Sequence, residues 1–191
     1  MKVKSYIFKH LLICSIAFFL AQIPIHLCAT SLKDNTPNDA TVIDLNKIYV
    51  DNLSSSSDID YFKFQLQTPG NIIVTLGHET IMASTSTYWR AYLYTENNFN
   101  SSLHYISLEG SSRSTSFQEG LPTGTYYIKI SDYTYNSDNY YLKVDFEPSD
   151  NYEKSPNDSV SDATEINLNN EYIEPAHKFK TACWATKYRI K

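Results

Sequence analysis

The fold is decided by the stretch Leu53-Ser54-Ser55-Ser56-Ser57-Asp58-Ile59-Asp60-Tyr61-Phe62-Lys63-Phe64-Gln65-Leu66, where a polar, acidic loop runs into an amphipathic segment. From Phe62 onward every second residue is apolar, which is the period of a β-strand with one face in a core. That period points the Asp60 side chain the same way as the phenylalanines. A carboxylate at the edge of an apolar layer needs backbone N–H groups, a cation or a metal ion as its partner. The stretch therefore predicts either turn-capping aspartates at Asp58 and Asp60 or a calcium site.

Similar patterns predict strands along most of the chain. Alternation or β-branched runs mark 42–50, 72–76, 88–94, 103–108, 114–117, 126–130 and 140–146. We predict one hairpin between 60–66 and 72–76, around Pro69-Gly70-Asn71, and another between 126–130 and 140–146. Turn residues separate the strands about every ten positions, which is typical of a β-sandwich. The sequence therefore predicts an all-β fold.

The N-terminus is typical of a secretory signal. Lys2, Lys4 and Lys9 precede an apolar run at 11–25, and Cys28-Ala29 offers small residues for cleavage. Lipid attachment at Cys28 is the alternative. Removal of residues 1–29 takes away three lysines and no acids, so the formal net charge changes from -5 to -8. We therefore expect a secreted, extracellular, monomeric protein, and its acidity argues against nucleic acid or an anionic membrane as partner.

One part of the sequence recurs. Residues 152–158 echo 33–39, and residues 163–173 echo 40–50, with four extra residues between the two blocks of the second copy. Too few residues follow the second copy for it to bury a core of its own. We predict a signal at 1–29, a β-sandwich at 30–147, a linker at 148–158, and a truncated, poorly packed or docked second repeat at 159–191.

Together these motifs resemble the bacterial pre-peptidase C-terminal domain family, which is related to the collagen-binding domains of clostridial collagenases. The resemblance covers roughly 34–146, restarts at Glu153, and rests on the Pro37-Asn38-Asp39 run and on 57–64, 93–94, 121–130 and 140–144. It implies a jelly-roll-like antiparallel β-sandwich of about seven to nine strands. Such domains are attached to secreted hydrolases, often peptidases, and bind rather than cleave.

The resemblance also implies a calcium site. In calcium-binding members, acids around the Pro-Asn-Asp run meet the Asp-x-Asp loop around the metal, and oxygen-only ligation suits hard Ca²⁺. The positions that match are Asp34, Asn38, Asp39, Asp58 and Asp60. The family often has an acid directly before the proline, where this chain has Thr36 and, in the second copy, Ser155. With one fewer carboxylate, a lower affinity is expected.

Catalytic constellations are not evident in the sequence. His78-Glu79-Thr80-Ile81-Met82 comes near the zinc-protease motif, but Met82 stands where the second histidine must be. The sequence contains no Gly-x-Ser-x-Gly elbow, and Cys183 stands alone near the chain end. We therefore predict that the chain is not an enzyme.

Four tyrosines are candidates for a ligand-binding surface: Tyr92, Tyr94, Tyr127 and Tyr141. They alternate with core residues, so they fall on outer sheet faces, where aromatic rings stack on sugars or pack against a protein. Cross-strand pairs that only stabilise the sheet are the alternative. Three hypotheses follow. One is an accessory module, a fragment of an extracellular peptidase, that binds matrix protein such as collagen. The others are a carbohydrate-binding module and a structural spacer without a ligand.

Overall fold

A computed structural model describes residues 34–157, 159–166 and 170–173, together with the backbone of His26 and Leu27. A 3-10 helix, Pro37–Asp39, precedes most of the strands. The strands are β1 (His26–Leu27), β2 (Thr41–Val42), β3 (Ile48–Asp51), β4 (Ile59–Leu66), β5 (Gly70–Gly77), β6 (Thr87–Thr95), β7 (His104–Glu109), β8 (Ser114–Leu121), β9 (Gly124–Asp132) and β10 (Tyr140–Pro148). Within these residues no helix has the length and apolar character needed to cross a membrane.

The strands form two sheets. Sheet I has the order β1-β3-β10-β5-β8, and sheet II has the order β2-β4-β9-β6-β7. Neighbours are antiparallel except for two short pairs, β1 with β3 and β2 with β4, which are parallel. The predicted all-β sandwich is confirmed.

The core lies between the sheets because the strands alternate as the sequence predicts. In β4, Phe62, Phe64 and Leu66 are buried while the intervening residues are half-buried or exposed. They share one core with residues of β6 and β9 in the same sheet, such as Trp89, and with residues of β5 and β10 in the facing sheet, such as Leu76. Full burial of each such side chain contributes about 1.5–3 kcal/mol, which is the main favourable term for this fold.

Both predicted hairpins are wrong, because consecutive strands cross from one sheet to the other. β4 pairs with β2 and β9 in sheet II, whereas β5 pairs with β10 and β8 in sheet I. β9 and β10 are separated in the same way, with β10 between β3 and β5. The turn around Pro69 and the loop at 133–139 are therefore arches over the ends of the sandwich. Among the described strands, only β6 and β7 are both consecutive and paired.

The predicted first strand, 42–50, is divided in two. Asn46 has a φ of 65°, in the left-handed region that asparagine tolerates better than most residues. Its backbone N–H donates to the Val144 carbonyl at 2.8 Å, and its Oδ1 accepts from the Phe146 N–H at 2.9 Å. This turn carries the chain from β2 in sheet II to β3 in sheet I.

The strands β2 to β10 cover 41–148, close to the predicted sandwich at 30–147. The predicted signal lies outside the described residues, apart from the backbone of His26–Leu27 that forms β1. In the predicted linker and second repeat, Tyr152 forms a parallel bridge with Ile173. Residues 174–191 also lie outside the described part.

Phe62 offers a test of this core. Its side chain is fully buried and its ring contacts Tyr140 edge-to-face, with centroids 6.4 Å apart. We expect Phe62→Ala to lower the free energy of unfolding in urea by about 3–5 kcal/mol, because it leaves a cavity between the sheets. Ile73→Ala, on an outer face, should cost less than about 1 kcal/mol. Equal costs for the two variants would contradict the arrangement of the sheets.

Candidate functional site

An acidic corner, defined as Asp34, Asp51, Asp58 and Asp60, closes one end of the sandwich. Asp60 lies on β4 of sheet II and is 4% exposed. Its Oδ2 accepts a hydrogen bond from the buried hydroxyl of Tyr140, on β10 of sheet I. Asp51 ends β3 and stands opposite Tyr140 in the register of sheet I. The Tyr140–Asp60 hydrogen bond therefore joins the two sheets beside a second buried carboxylate, that of Asp51.

The other two acids come from the segments that flank β2 and β4. Asp34 is 3% exposed, its Oδ2 accepts from the Thr41 hydroxyl at 3.3 Å, and its backbone carbonyl accepts from the Tyr61 N–H at 2.8 Å. Asp58 Oδ2 accepts from both the N–H and the hydroxyl of Ser54, each at 2.6 Å. This contact confirms that Asp58 caps the turn, whereas Asp60 is held inside.

Burial changes the protonation of the corner. Desolvation, as the main cause, and repulsion from the neighbouring carboxylates together raise the pKa of Asp60 to about 7 and that of Asp51 to about 6. Hydrogen bonds from Tyr140 to Asp60 and from the Asn52 N–H to Asp51 act in the opposite direction. Desolvation also raises the pKa of Asp34. Each carboxylate therefore costs free energy when ionised, unless a cation compensates it.

The oxygen donors of the corner suit a hard cation, but the carboxylates lie too far apart to coordinate one together. In the described ranges, the ion pairs involve other acids, and no lysine or arginine lies within ion-pair distance of these four. In the same ranges, no three His, Cys, Asp or Glu side chains converge closely enough to hold a metal ion. Cation binding would therefore require the carboxylates to move closer together.

Of the five predicted ligands, three lie in the acidic corner, and the other two lie on the 3-10 helix, which contacts β4. Asp34, Asp58 and Asp60 lie in the acidic corner, within electrostatic reach of one another. Asn38 and Asp39 are exposed on the 3-10 helix, where Asp39 Oδ2 accepts from the Thr36 hydroxyl at 2.7 Å. Asp51 was missed by the sequence reasoning, although it has the same strand parity as the buried Tyr49.

His78 adds to the polar end of the sandwich. It directly follows β5 and is 1% exposed. Gly77 pairs with Tyr141, so His78 stands level with Tyr140 in the next strand. Its ring lies 5.2 Å from that of Trp89, and neither ring nitrogen has a protein hydrogen-bond partner among the described residues. Asp51 on β3, Tyr140 on β10 and His78 at the end of β5 therefore form a row of buried polar groups across sheet I.

The outer surface of sheet II carries an aromatic face, defined as Tyr61, Tyr92, Tyr94, Phe99, Tyr105 and Tyr127. Its rings form a continuous series of contacts, with centroid separations of 5.0 to 6.3 Å. Tyr92 and Tyr105 are direct cross-strand neighbours, and Tyr105 is 59% exposed. Lys129 lies over Tyr92, with its amine 5.6 Å from the ring centroid. The face is therefore apolar, rigid and partly open to solvent.

The four predicted binding tyrosines have different positions. Tyr92 is half-buried on the aromatic face, whereas Tyr94 and Tyr127 are 9% and 8% exposed and contact the Phe99 ring. Tyr141 lies on sheet I, where its ring covers Gly77. The sequence reasoning missed Phe99 and Tyr105. Alternation of Tyr105 with the buried Ile106 could have indicated the latter.

Comparison with known proteins finds similarity among solved structures. No model of a known protein family matches the sequence, and no curated protein matches it. Among solved structures, the chain is similar to the pre-peptidase C-terminal domain of the collagenase from Bacillus anthracis. The TM-score is 0.46 and the sequence identity is 22%, over 58% of this chain and 98% of that one.

The raised pKa values predict how stability depends on pH. Between the ordinary value of 3.8 and the folded values of about 6 and about 7, the folded state binds more protons than the unfolded state. Without added metal, the free energy of unfolding should therefore fall by several kcal/mol as pH rises through this window, since a pKa difference of one corresponds to about 1.4 kcal/mol. Asp60→Asn should flatten the decline measured in urea titrations, because asparagine does not titrate. Its amide oxygen still accepts from Tyr140, so the contact between the sheets is kept. The control Asp44→Asn, at an exposed ion pair with Lys47, should leave it unchanged. A stability that rises over this range would contradict the assignment.

Proposed function

We propose that this chain is a secreted, non-catalytic binding module of the pre-peptidase C-terminal kind, and that its ligand lies on the aromatic face. The observation that carries the proposal is the continuous set of ring contacts on the outer surface of sheet II, which ends in the exposed ring of Tyr105. Scattered apolar residues are ordinary on protein surfaces, whereas contiguous aromatic ones are typical of interaction sites.

The face combines an exposed contact area with a buried support. Tyr105 is exposed and Tyr92 is half-buried. Tyr94, which contacts Tyr92, and Tyr127 are buried, and both contact Phe99. Aromatic side chains have few rotatable bonds, and packing restricts them further. Ligand binding would therefore cost little side-chain conformational entropy, which favours affinity.

The ligand class that suits this surface best is an extracellular protein, such as collagen or another matrix protein. Beside the aromatic face, a shallow depression of about 220 Å³ is lined by Tyr127 and by side chains of both charges, Lys63 and Glu96. An apolar patch with a mixed polar rim is the usual composition of a protein–protein interface. Within this proposal the chain acts as a monomer and belongs to a larger extracellular peptidase.

A polysaccharide ligand is the second candidate, and one observation favours it. The rings of Tyr92 and Tyr105 have centroids 5.8 Å apart and planes inclined by only 24°. Nearly parallel aromatic rings on a protein surface are groups against which sugar rings can stack. Only binding measurements against both classes of polymer can separate the two candidates.

Substitution of the exposed pair tests the proposal. We expect the natural chain to bind immobilised collagen, and the double variant Tyr92→Ala, Tyr105→Ala to bind at least about tenfold more weakly, because contact aromatics commonly dominate binding energy. Tyr141→Ala, on the other sheet, should bind like the natural chain, and the collagen should be recovered uncleaved. Binding to polysaccharides alone would favour the second candidate, and no binding to either polymer would favour a structural spacer.

We further propose that the acidic corner binds Ca²⁺ when its side chains draw together. Four carboxylates, three of them buried, lie within electrostatic reach of one another without a basic residue beside them in the described ranges. Oxygen donors are the ligands that calcium requires. A bound cation would reverse the cost of ionising Asp51 and Asp60, since it favours their charged forms.

Calorimetry tests the calcium proposal directly. We expect heat of binding when Ca²⁺ is titrated into the natural chain at pH 7, and none with the double variant Asp58→Ala, Asp60→Ala. At that pH, Ca²⁺ should also raise the melting temperature of the natural chain, because a ligand of the folded state stabilises it. The variant Asp39→Asn distinguishes the corner from the exposed helix, and should still bind. No heat from the natural chain would end this proposal and leave the aromatic face untouched.

A further inference from the structure

Another buried carboxylate, outside the acidic corner, lies at the side of the sandwich where both sheets end in an edge strand. Glu119 is on β8, the edge strand of sheet I, and is 1% exposed. Its Oε2 lies 3.3 Å from Nδ1 of His104, which is on β7, the edge strand of sheet II. The His104 ring stacks on Phe117, with centroids 4.3 Å apart and planes inclined by 6°. Glu119 therefore links the edges of the two sheets.

The segment at 151–157 covers this edge. Ser155 donates its backbone N–H to the Gly120 carbonyl at 2.8 Å, and its hydroxyl donates to Oε1 of Glu119. Glu153 approaches so closely that a Cβ atom at Gly120 would overlap its carbonyl oxygen. The contact at Glu119 and Gly120 therefore has three parts. It includes a main-chain hydrogen bond, a side-chain hydrogen bond to a buried acid, and a close approach that requires glycine.

The covering segment is itself held by later residues. The Glu153 N–H donates to the Ile173 carbonyl at 3.0 Å, and the Ile173 N–H donates to the Asn151 carbonyl at 2.7 Å. The Lys154 N–H donates to the Thr164 hydroxyl at 3.0 Å. Backbone hydrogen bonds that close on one another in this way are not expected of a flexible linker.

Corresponding residues of the sequence repeat use their hydroxyls differently. Thr36 precedes the first proline and donates to Asp39 of its own 3-10 helix at 2.7 Å. Ser155 precedes the second proline and donates instead to Glu119 of the sandwich. The same motif position therefore makes a local contact in the first copy and an intermodule contact in the second.

We propose that the edge formed by His104, Glu119 and Gly120 is a docking site for the opening segment of a following module. The partner is the Ser155-Pro156 segment of this chain, recognised by its serine hydroxyl and by a backbone that approaches Gly120. Docking anchors the second repeat at one place on the sandwich and covers an edge strand that could otherwise pair with other chains. It also limits the distances that two modules can span, which determines whether both can bind one polymer.

Hydrogen exchange of the full chain tests the docking without any substitution. The backbone N–H of Ser155, which donates to Gly120 of the sandwich, should exchange at least about tenfold more slowly than in a free peptide of the same sequence, because this hydrogen bond must open first. Exchange at the free-peptide rate would overturn the proposal.

Two glycine substitutions test the site itself. Gly120→Ala should leave the melting temperature of the sandwich within a few degrees while trypsin cleaves after Lys154 about tenfold faster, because the added methyl group displaces Glu153. Gly124→Ala is the matched control, since its Cβ would meet nothing closer than 3.5 Å, and its cleavage rate should equal that of the natural chain. Ser155→Ala should accelerate cleavage several-fold in a fully folded chain. Equal cleavage rates in all four proteins would overturn the docking site.

Discussion

The hydrogen bond between Tyr140 and Asp60 joins the two sheets at the end where the apolar core stops. Both groups are buried, so each would cost free energy without the other. Desolvation, followed by the nearby acids, raises the pKa of Tyr140 well above its ordinary value, so the phenol remains a donor over the physiological range. Because Asp60 also faces Asp51 and Asp34, this bond holds a charged group where acids have gathered. The protonation of the acidic corner therefore affects how strongly the two sheets are held together at this end.

Strand positions could be predicted from sequence, whereas strand partners could not. Alternation in β4 follows from which residues the core accepts, and a period of two is visible in Phe62, Phe64 and Leu66. Pairing depends on which sheet each strand joins, and the turn at Pro69-Gly70 gives no sign that it arches over the core. The left-handed Asn46 also divides a segment whose apolar content suggested one continuous strand.

In the candidate sites, too, features set by neighbouring residues could be predicted, whereas features set by tertiary contacts could not. The parity of Asp60 in its strand predicted correctly that it faces the core, and the acids at 34 and 58 do gather near it. Asp51 comes from β3, which reaches the corner only through its pairing with β10. Likewise, tyrosine parity identified Tyr94 and Tyr127 as outward-facing, but the loop residue Phe99, which packs against both, depends on tertiary structure.

The acidic corner and the aromatic face are mechanically connected through β4. Asp60 points inward and its neighbour Tyr61 points outward, where its ring contacts Phe99 at 6.3 Å. The Tyr61 N–H donates to the backbone carbonyl of Asp34, which is itself a member of the corner. A cation that draws Asp34 and Asp60 together must therefore act on Tyr61, because Asp60 precedes it in the chain and Asp34 accepts its N–H. Tyr61 is part of the aromatic face. Under the calcium proposal, metal and ligand would be linked by the position of this strand, and linkage requires each to strengthen or weaken the other equally.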